Sequence, residues 1–282
     1  MKRGVCIFLL CVLAYGAAVF IGQDSVVHNF YLPVWPEMQA TELSSEIQQQ
    51  AQGVLDQPFH YLGKGRQFYV YESQDHKWVL KFIKCQRFTE WYDEYAGLEW
   101  LGYFRSTRRE EKSARCAALF SSIQLAAGPL SDVTGTLACH LIQRPEFSTT
   151  AILYDPAGVK DAVFLDDVPF VIQRKAMGVF AVLDELYAKC DMNGLKMRLQ
   201  QLVFLYKDLA CRGYIDIDDG AITRGNIGFL EDRAVCIDIG TLQRAHNAKE
   251  RLPRDLKRLT PVFEWLQGRN PTLATWFSEE LQ

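Results

Sequence analysis

Several stretches carry residue types that could do chemistry together. Leu62-Gly63-Lys64-Gly65-Arg66-Gln67-Phe68-Tyr69-Val70-Tyr71 sets two glycines one residue apart in a strand–turn–strand pattern. Glycine lets backbone N–H groups approach a phosphate closely, although the same pattern also makes a plain hairpin. A strand follows rather than a helix, so this is not a dinucleotide-binding turn. Lys81 stands in the apolar run Val79-Leu80-Lys81-Phe82. If buried, its ammonium needs an anionic partner, such as a phosphate or a carboxylate of the next helix, where Glu94 and Glu99 lie. If strand alternation rules, Lys81 faces solvent while Leu80 and Phe82 turn inward; periodicity leaves both open. Downstream, Asn226 and the aspartate of Val235-Cys236-Ile237-Asp238-Ile239-Gly240 are hard oxygen ligands suited to a divalent cation. Asp-x-Gly is equally a turn. Asp216, Asp218 and Asp219 suggest a calcium loop, but its twelfth position holds Ile227 where an acid is required.

The elements that must position these residues follow from hydrophobic period. Leu43, Ile47, Ala51 and Val54 recur at helical spacing. Phe68–Tyr71 and Trp78–Phe82 are strands around a polar turn at Ser73–His76. Thr89–Ala118 is a charge-rich helical region with a break expected near Ser106-Thr107. Short strands are expected at Thr136–Ile142, Ala151–Tyr154, Ala162–Leu165 and Phe170–Gln173, with turns at Gly128-Pro129 and Pro156-Ala157-Gly158. Helical period returns over Met177–Cys190 and Leu195–Arg212, where Gly213 is a natural stop. A polar loop, Asp216–Asn226, precedes short strands at Ile227–Leu230 and Ala234–Asp238, and the tail is helical around Leu256–Leu266 and Ala274–Leu281. A strand-rich half followed by a helical half is an α+β pattern with two lobes.

In this order the residues resemble the protein-kinase-like fold. Gly63-x-Gly65 with Val70 is similar to the kinase glycine-rich loop, Lys81 to the third-strand lysine, and Glu94 or Glu99 to the helix C glutamate. Phe170–Lys175, with Gln173, resembles the last strand of the N-lobe entering the hinge, Asn226 the catalytic-loop asparagine, and Asp238-Ile239-Gly240 the metal-binding Asp-Phe-Gly. The resemblance implies a two-lobed fold with a strand-rich N-lobe, residues 58–173, and a reduced helical C-lobe, residues 174–282. It implies ATP between the lobes on Gly63, Gly65, Val70, Lys81, Glu94 or Glu99 and Gln173, with Mg²⁺ on Asn226 and Asp238.

The departures shape the expected function. The third loop glycine is Phe68, no His-Arg-Asp segment is recognisable, and the position five residues before Asn226 is Ala221. Asp218 or Asp219 is then the candidate base. Only 42 residues follow Gly240, with no Ala-Pro-Glu-like anchor and little room for peptide-docking helices. A small molecule, lipid or saccharide is therefore the expected acceptor, rather than a docked protein. Two functions stand side by side: a divergent phosphotransferase using Mg-ATP, and a pseudokinase kept as a binding or scaffold module.

Composition bounds these readings. With 31 basic and 34 acidic side chains the net charge is −3, and 49% of residues are apolar. Wholesale disorder and a basic nucleic-acid-binding surface are excluded. Met1-Lys2-Arg3 precedes nineteen uncharged residues, Gly4–Gly22, about the length that crosses a bilayer. Residues 1–22 are read as a cleaved signal peptide with Ala14-Tyr15-Gly16 at the cleavage site, or as an uncleaved transmembrane anchor. The basic flank sends the rest of the chain to the non-cytoplasmic side, so the folded part is membrane-anchored there, or secreted or periplasmic after cleavage. Residues 23–57 form a tether and a membrane-proximal helix. Six cysteines beyond the apolar run are scattered and form no C-x-x-C, which excludes a zinc ribbon.

Overall fold

The computed structural model describes residues 26–32, 35–36, 38, 43–88, 102–218, 222–223 and 225–281. The expected signal or anchor, residues 1–22, lies outside the described residues. Among the described helices none is long and apolar enough to cross a membrane.

Helix α1 (Ser45–Leu55) starts where the Ser44 hydroxyl accepts from the Ile47 N–H at 3.3 Å, and it buries Ala51, Val54 and Leu55. The strands follow as β1 (Phe59–Lys64), β2 (Phe68–Ser73), β3 (Trp78–Ile83), β4 (Thr136–His140), β5 (Thr150–Tyr154), β6 (Lys160–Phe164) and β7 (Phe170–Arg174). They form one seven-stranded sheet in the order β4-β7-β3-β2-β1-β5-β6. All pairs among them are antiparallel except β1 with β5. Register sets Gly63, Val70, Lys81, Val171 and Cys139 in one row across five strands. Directly opposed residues share a face, so Val70 and Lys81 lie on the same side of the sheet.

The two faces are covered differently. Leu80 and Phe82 point into a cluster with Phe30, Phe59, Tyr71 and Phe170 under α1. The Phe30 and Phe82 rings stack at 4.2 Å. The other face carries Phe68, Ile83 and Val171 into a second cluster shared with the helical part. Alternation thus turns Lys81 away from Leu80 and Phe82, but onto a covered face. Lys81 is 4% exposed. The two sequence readings of this lysine were not opposites: alternation holds and burial holds, because both faces of the sheet are covered.

Between β3 and β4 runs α2 (Gly102–Ala127), seated by Cys116, Leu119, Phe120, Ile123 and Ala126. It passes Ser106-Thr107 without the expected break and continues beyond Ala118. Leu119, Phe120 and Ile123 extend its apolar stripe, and no glycine or proline intervenes before Gly128. After β7, the bridge β8 (Met177–Gly178) leads into α3 (Val179–Ala188) and α4 (Met192–Cys211). Asp191 caps α4 by accepting from Gly194 N–H at 2.8 Å. Leu195, Leu199, Leu202, Leu205 and Leu209 fill the helical lobe.

Four short strands follow: β9 (Tyr214–Asp216), β10 (Ile227–Phe229), β11 (Ala234–Cys236) and β12 (Leu242–Arg244). The chain ends in α5 (Ala248–Leu256), α6 (Thr260–Gln267) and α7 (Pro271–Glu280). Strands β9 and β12 were not expected; unlike β10 and β11 they are not joined by a short turn, and they pair from distant parts of the chain. The six cysteines beyond the apolar run form no disulfide.

The lobes are joined through β8, which pairs with β10 so that Gly178 opposes Gly228. A Cβ on Gly228 would lie 2.5 Å from the Met177 carbonyl oxygen and 2.7 Å from Ile237 Cδ1. Gly228→Ala should therefore destabilise the fold by about 1–3 kcal/mol. This is measured as a lowered urea midpoint at unchanged slope; an unaltered midpoint would show that the joint tolerates a side chain.

Candidate functional site

The site is built where the sheet meets the short strands of the helical lobe. Lys81 Nζ donates to the Ile237 carbonyl at 2.6 Å. Burial pushes this amine down to about 8, while the nearby Asp238 carboxylate opposes the shift. The Ile237 and Asp238 N–H groups both donate to the Asn226 carbonyl, at 2.7 and 3.2 Å. The Asn226 side-chain amide donates to Asp218 Oδ2 at 2.6 Å. Asp238 Oδ1 accepts from Gly240 N–H at 3.0 Å and holds the Asp-Ile-Gly turn. The fold therefore brings Lys81, Asp218, Asn226 and Asp238 together, although 157 positions separate the first from the last.

Of the other sequence candidates, Gly63 lies at the register shift of β1 opposite Val70, and Gly65 N–H donates to the Phe68 carbonyl at 2.9 Å to close the turn. A Cβ at either glycine would meet no protein atom within 4 Å. Packing within the chain therefore does not require glycine there, and the space beside both is open. Gln173 is 1% exposed. Its side-chain amide donates to the carbonyls of Thr134 at 2.7 Å and Cys236 at 3.1 Å, tying the sheet to β11. Its Oε1 atom is buried without a hydrogen-bond partner among the described residues. Glu94, Glu99, Asp219 and Ala221 lie outside the described residues.

Sequence reasoning missed the residues that hold the Asp238 segment. Ser122 of α2 donates its hydroxyl to the Ile239 carbonyl and accepts from Leu242 N–H, both at 2.7 Å. Thr241 Oγ1 donates to Asp216 Oδ1 at 2.7 Å, and Asp218 N–H donates to the same atom at 2.9 Å. Asp216 is 5% exposed, and burial raises its carboxyl above the usual range. Arg258 Nη1 donates to the Asp216 carbonyl at 2.8 Å. Gln67, at the hairpin tip, donates to the Gly240 carbonyl at 3.3 Å. A Cβ on Gly240 would fall 1.8 Å from Gln67 Oε1, so only glycine admits this contact. The hairpin is also held from beneath: Lys84 Nζ donates to the Gly65 carbonyl at 2.6 Å, and Arg87 donates to that of Arg66. Ser122, Gln67 and Thr241 are ordinary polar residues with no spacing signal; only Asp216, beginning the acidic loop, was visible.

No family model matches the chain, and no curated protein matches it. Among solved structures, the bifunctional kinase-methyltransferase WbdD is similar at a TM-score of 0.30 and 15% identity, over 64% of this chain and 31% of that one. The chain thus spans about a third of that protein's length, and so slight a likeness bears no functional weight.

The buried amine generates a pH dependence. Lys81 titrates near its ordinary 10.5 when unfolded and near 8 in the fold. Between those values the unfolded chain binds more protons, so stability rises with pH over that window. Compared with Lys81→Met, the wild type should gain at most about 3 kcal/mol between about pH 7 and pH 10. Urea unfolding at both pH values measures this; a difference that does not change with pH would mean the amine is not desolvated.

Proposed function

We propose that the chain is a kinase-like phosphotransferase that binds Mg-ATP between the sheet and the helical lobe. It would pass the terminal phosphoryl group to a hydroxyl of a small molecule, lipid or saccharide. The observation that carries this reading is the hydrogen bond of Asn226 to Asp218 at 2.6 Å, made while Asn226 also holds the backbone of Asp238. It supports the reading by joining Asp218, the candidate base, to Asn226 and Asp238, the candidate cation ligands, beside the buried Lys81.

The donor set fits the cofactor. Asp238 and Asn226 offer carboxylate and amide oxygens, the hard ligands Mg²⁺ takes. Lys81 is a buried cation on the face that Gly63 and Val70 share, and it would meet an anionic phosphate. Bound Mg-ATP would supply the electrophilic phosphoryl group and neutralise the charge that develops during transfer. Asp218 would accept the proton of the acceptor hydroxyl. The glycine hairpin, held to Gly240 by Gln67, would exclude water from above. The rest is positioning, which carries most of catalysis in this chemistry.

The acceptor class is supported by the chain beyond the Asp238 turn. Leu242 pairs at once with Asp216, and the chain then enters α5. Residues 242–244 are strand and 248–256 are helix, joined by a short turn at 245–247, so this stretch offers no long extended segment on which a peptide would lie. Ile217, 45% exposed beside Asp218, gives an acceptor an apolar contact. The second reading, a pseudokinase serving as an exported or membrane-anchored binding module, is favoured by Ala221 standing five residues before Asn226.

Mg·ATP should raise the thermal midpoint of the purified full-length chain, and Asp238→Ala should abolish the rise. Asp218→Asn should keep the rise but lower ADP production with a hydroxyl acceptor by about 10²–10⁴-fold. A rise without turnover in any acceptor panel would favour the pseudokinase. No rise in the intact chain would overturn nucleotide binding in both readings.

A further inference from the structure

A second cavity, of about 670 Å³, shares no residue with the Lys81–Asp238 group. It opens where the β2–β3 turn, the segment after β7, helices α3 and α4 and the β10–β11 turn meet. Val182, Leu186, Phe229 and Leu230 give it an apolar floor. Met177, 53% exposed, stands at its mouth. The volume lies within the range of small-molecule pockets, about 300–1,000 Å³.

Its charges are mostly committed. Arg198 donates to the carbonyls of Leu230 and Glu231 and to Gln201 Oε1, and its guanidinium lies 5.0 Å from the Phe229 ring centroid. Lys175 and His76 both bond Glu72, at 2.5 and 2.6 Å. Glu185 is paired with Lys189 at 2.5 Å. Two cations remain. The side chains of Lys77 and Arg174 make no hydrogen bond or ion pair among the described residues, although both line the cavity. Asp75 attracts the Lys77 ammonium, but it accepts its hydrogen bonds from the Ser73 hydroxyl and the Lys77 backbone N–H.

The backbones that carry the two cations are adjacent, and both residues line the cavity. Arg174 opposes Trp78 across β3 and β7, and Lys175 N–H donates to the Lys77 carbonyl at 2.8 Å. Glu231, on the far turn, is the one carboxylate of the lining without a side-chain partner among the described residues.

We propose that this cavity binds a small amphipathic anion, with a phosphate or carboxylate head on Lys77 and Arg174 and an apolar or aromatic body on Val182, Leu186 and Phe229. Its place against Arg174–Gly178, the segment joining the lobes, lets an occupant brace that joint. The proposal does not depend on the nucleotide reading, because the residues are separate.

The test titrates the full-length chain by calorimetry with 2-naphthyl phosphate, 2-naphthol and inorganic phosphate, each alone. Naphthyl phosphate should bind saturably and at least about tenfold more tightly than either fragment. The Lys77→Gln/Arg174→Gln double variant, altered only at surface side chains, should weaken it at least about tenfold, while Asp238→Ala should leave it unchanged. Absence of saturable binding, or equal binding by the double variant, would overturn the proposal. So would loss of binding in Asp238→Ala, which would place the probe in the other cleft. Failure of Mg·ATP to bind, with naphthyl phosphate still bound, would sink the nucleotide reading alone.

Discussion

A lysine ammonium in the interior needs an oxygen partner, and most of the site follows from how Lys81 finds one. Its partner is the Ile237 carbonyl, next to a strand of the other lobe. That single bond requires β11 to approach the sheet, and the approach carries Asp238 with it. The same desolvation that lowers the amine's proton affinity makes this position responsive to negative charge.

The joint is reinforced by neutral polar groups. Gln173 spans Thr134 and Cys236, and Ser122 spans Ile239 and Leu242, so the Asp238 segment is gripped from the sheet and from α2. Beneath it, the buried Asp216 gathers Thr241 and the Asp218 backbone, while Arg258 secures its carbonyl. Each of these groups would cost stability if left unpaired in the interior. The precision of the site and the stability of the lobe contact therefore rest on the same bonds. Gln67 adds a contact between the glycine hairpin and Gly240 at a half-exposed tip.

The charge left over lies elsewhere. Around the second cavity most cations and acids pair among themselves, but among the described residues Lys77 and Arg174 make no hydrogen-bonded ion pair. An unpaired cation on a surface is ordinary; two beside an apolar cavity combine the features that recognise an amphipathic anion.

Much of the fold was legible in the sequence. Helical period exposed α1 and α4 because buried residues recur every three or four positions there. Sequence also singled out Lys81, Asn226, Asp238 and the Asp218–Asp219 pair as candidates, since lysine in an apolar run and acids near glycine are locally unusual; the structure brings Lys81, Asn226, Asp238 and Asp218 together. It left open whether Lys81 was buried, because a two-residue period reports which face a side chain takes and not what covers that face. Only the packing of the helical lobe onto the sheet decided that. Only the tertiary structure put Asp218 on Asn226 and recruited Ser122, Gln67 and Thr241, whose roles come from partners far along the chain. The strands β9 and β12 escaped notice because no short turn joins them as one joins β10 to β11, and what makes them strands is each other.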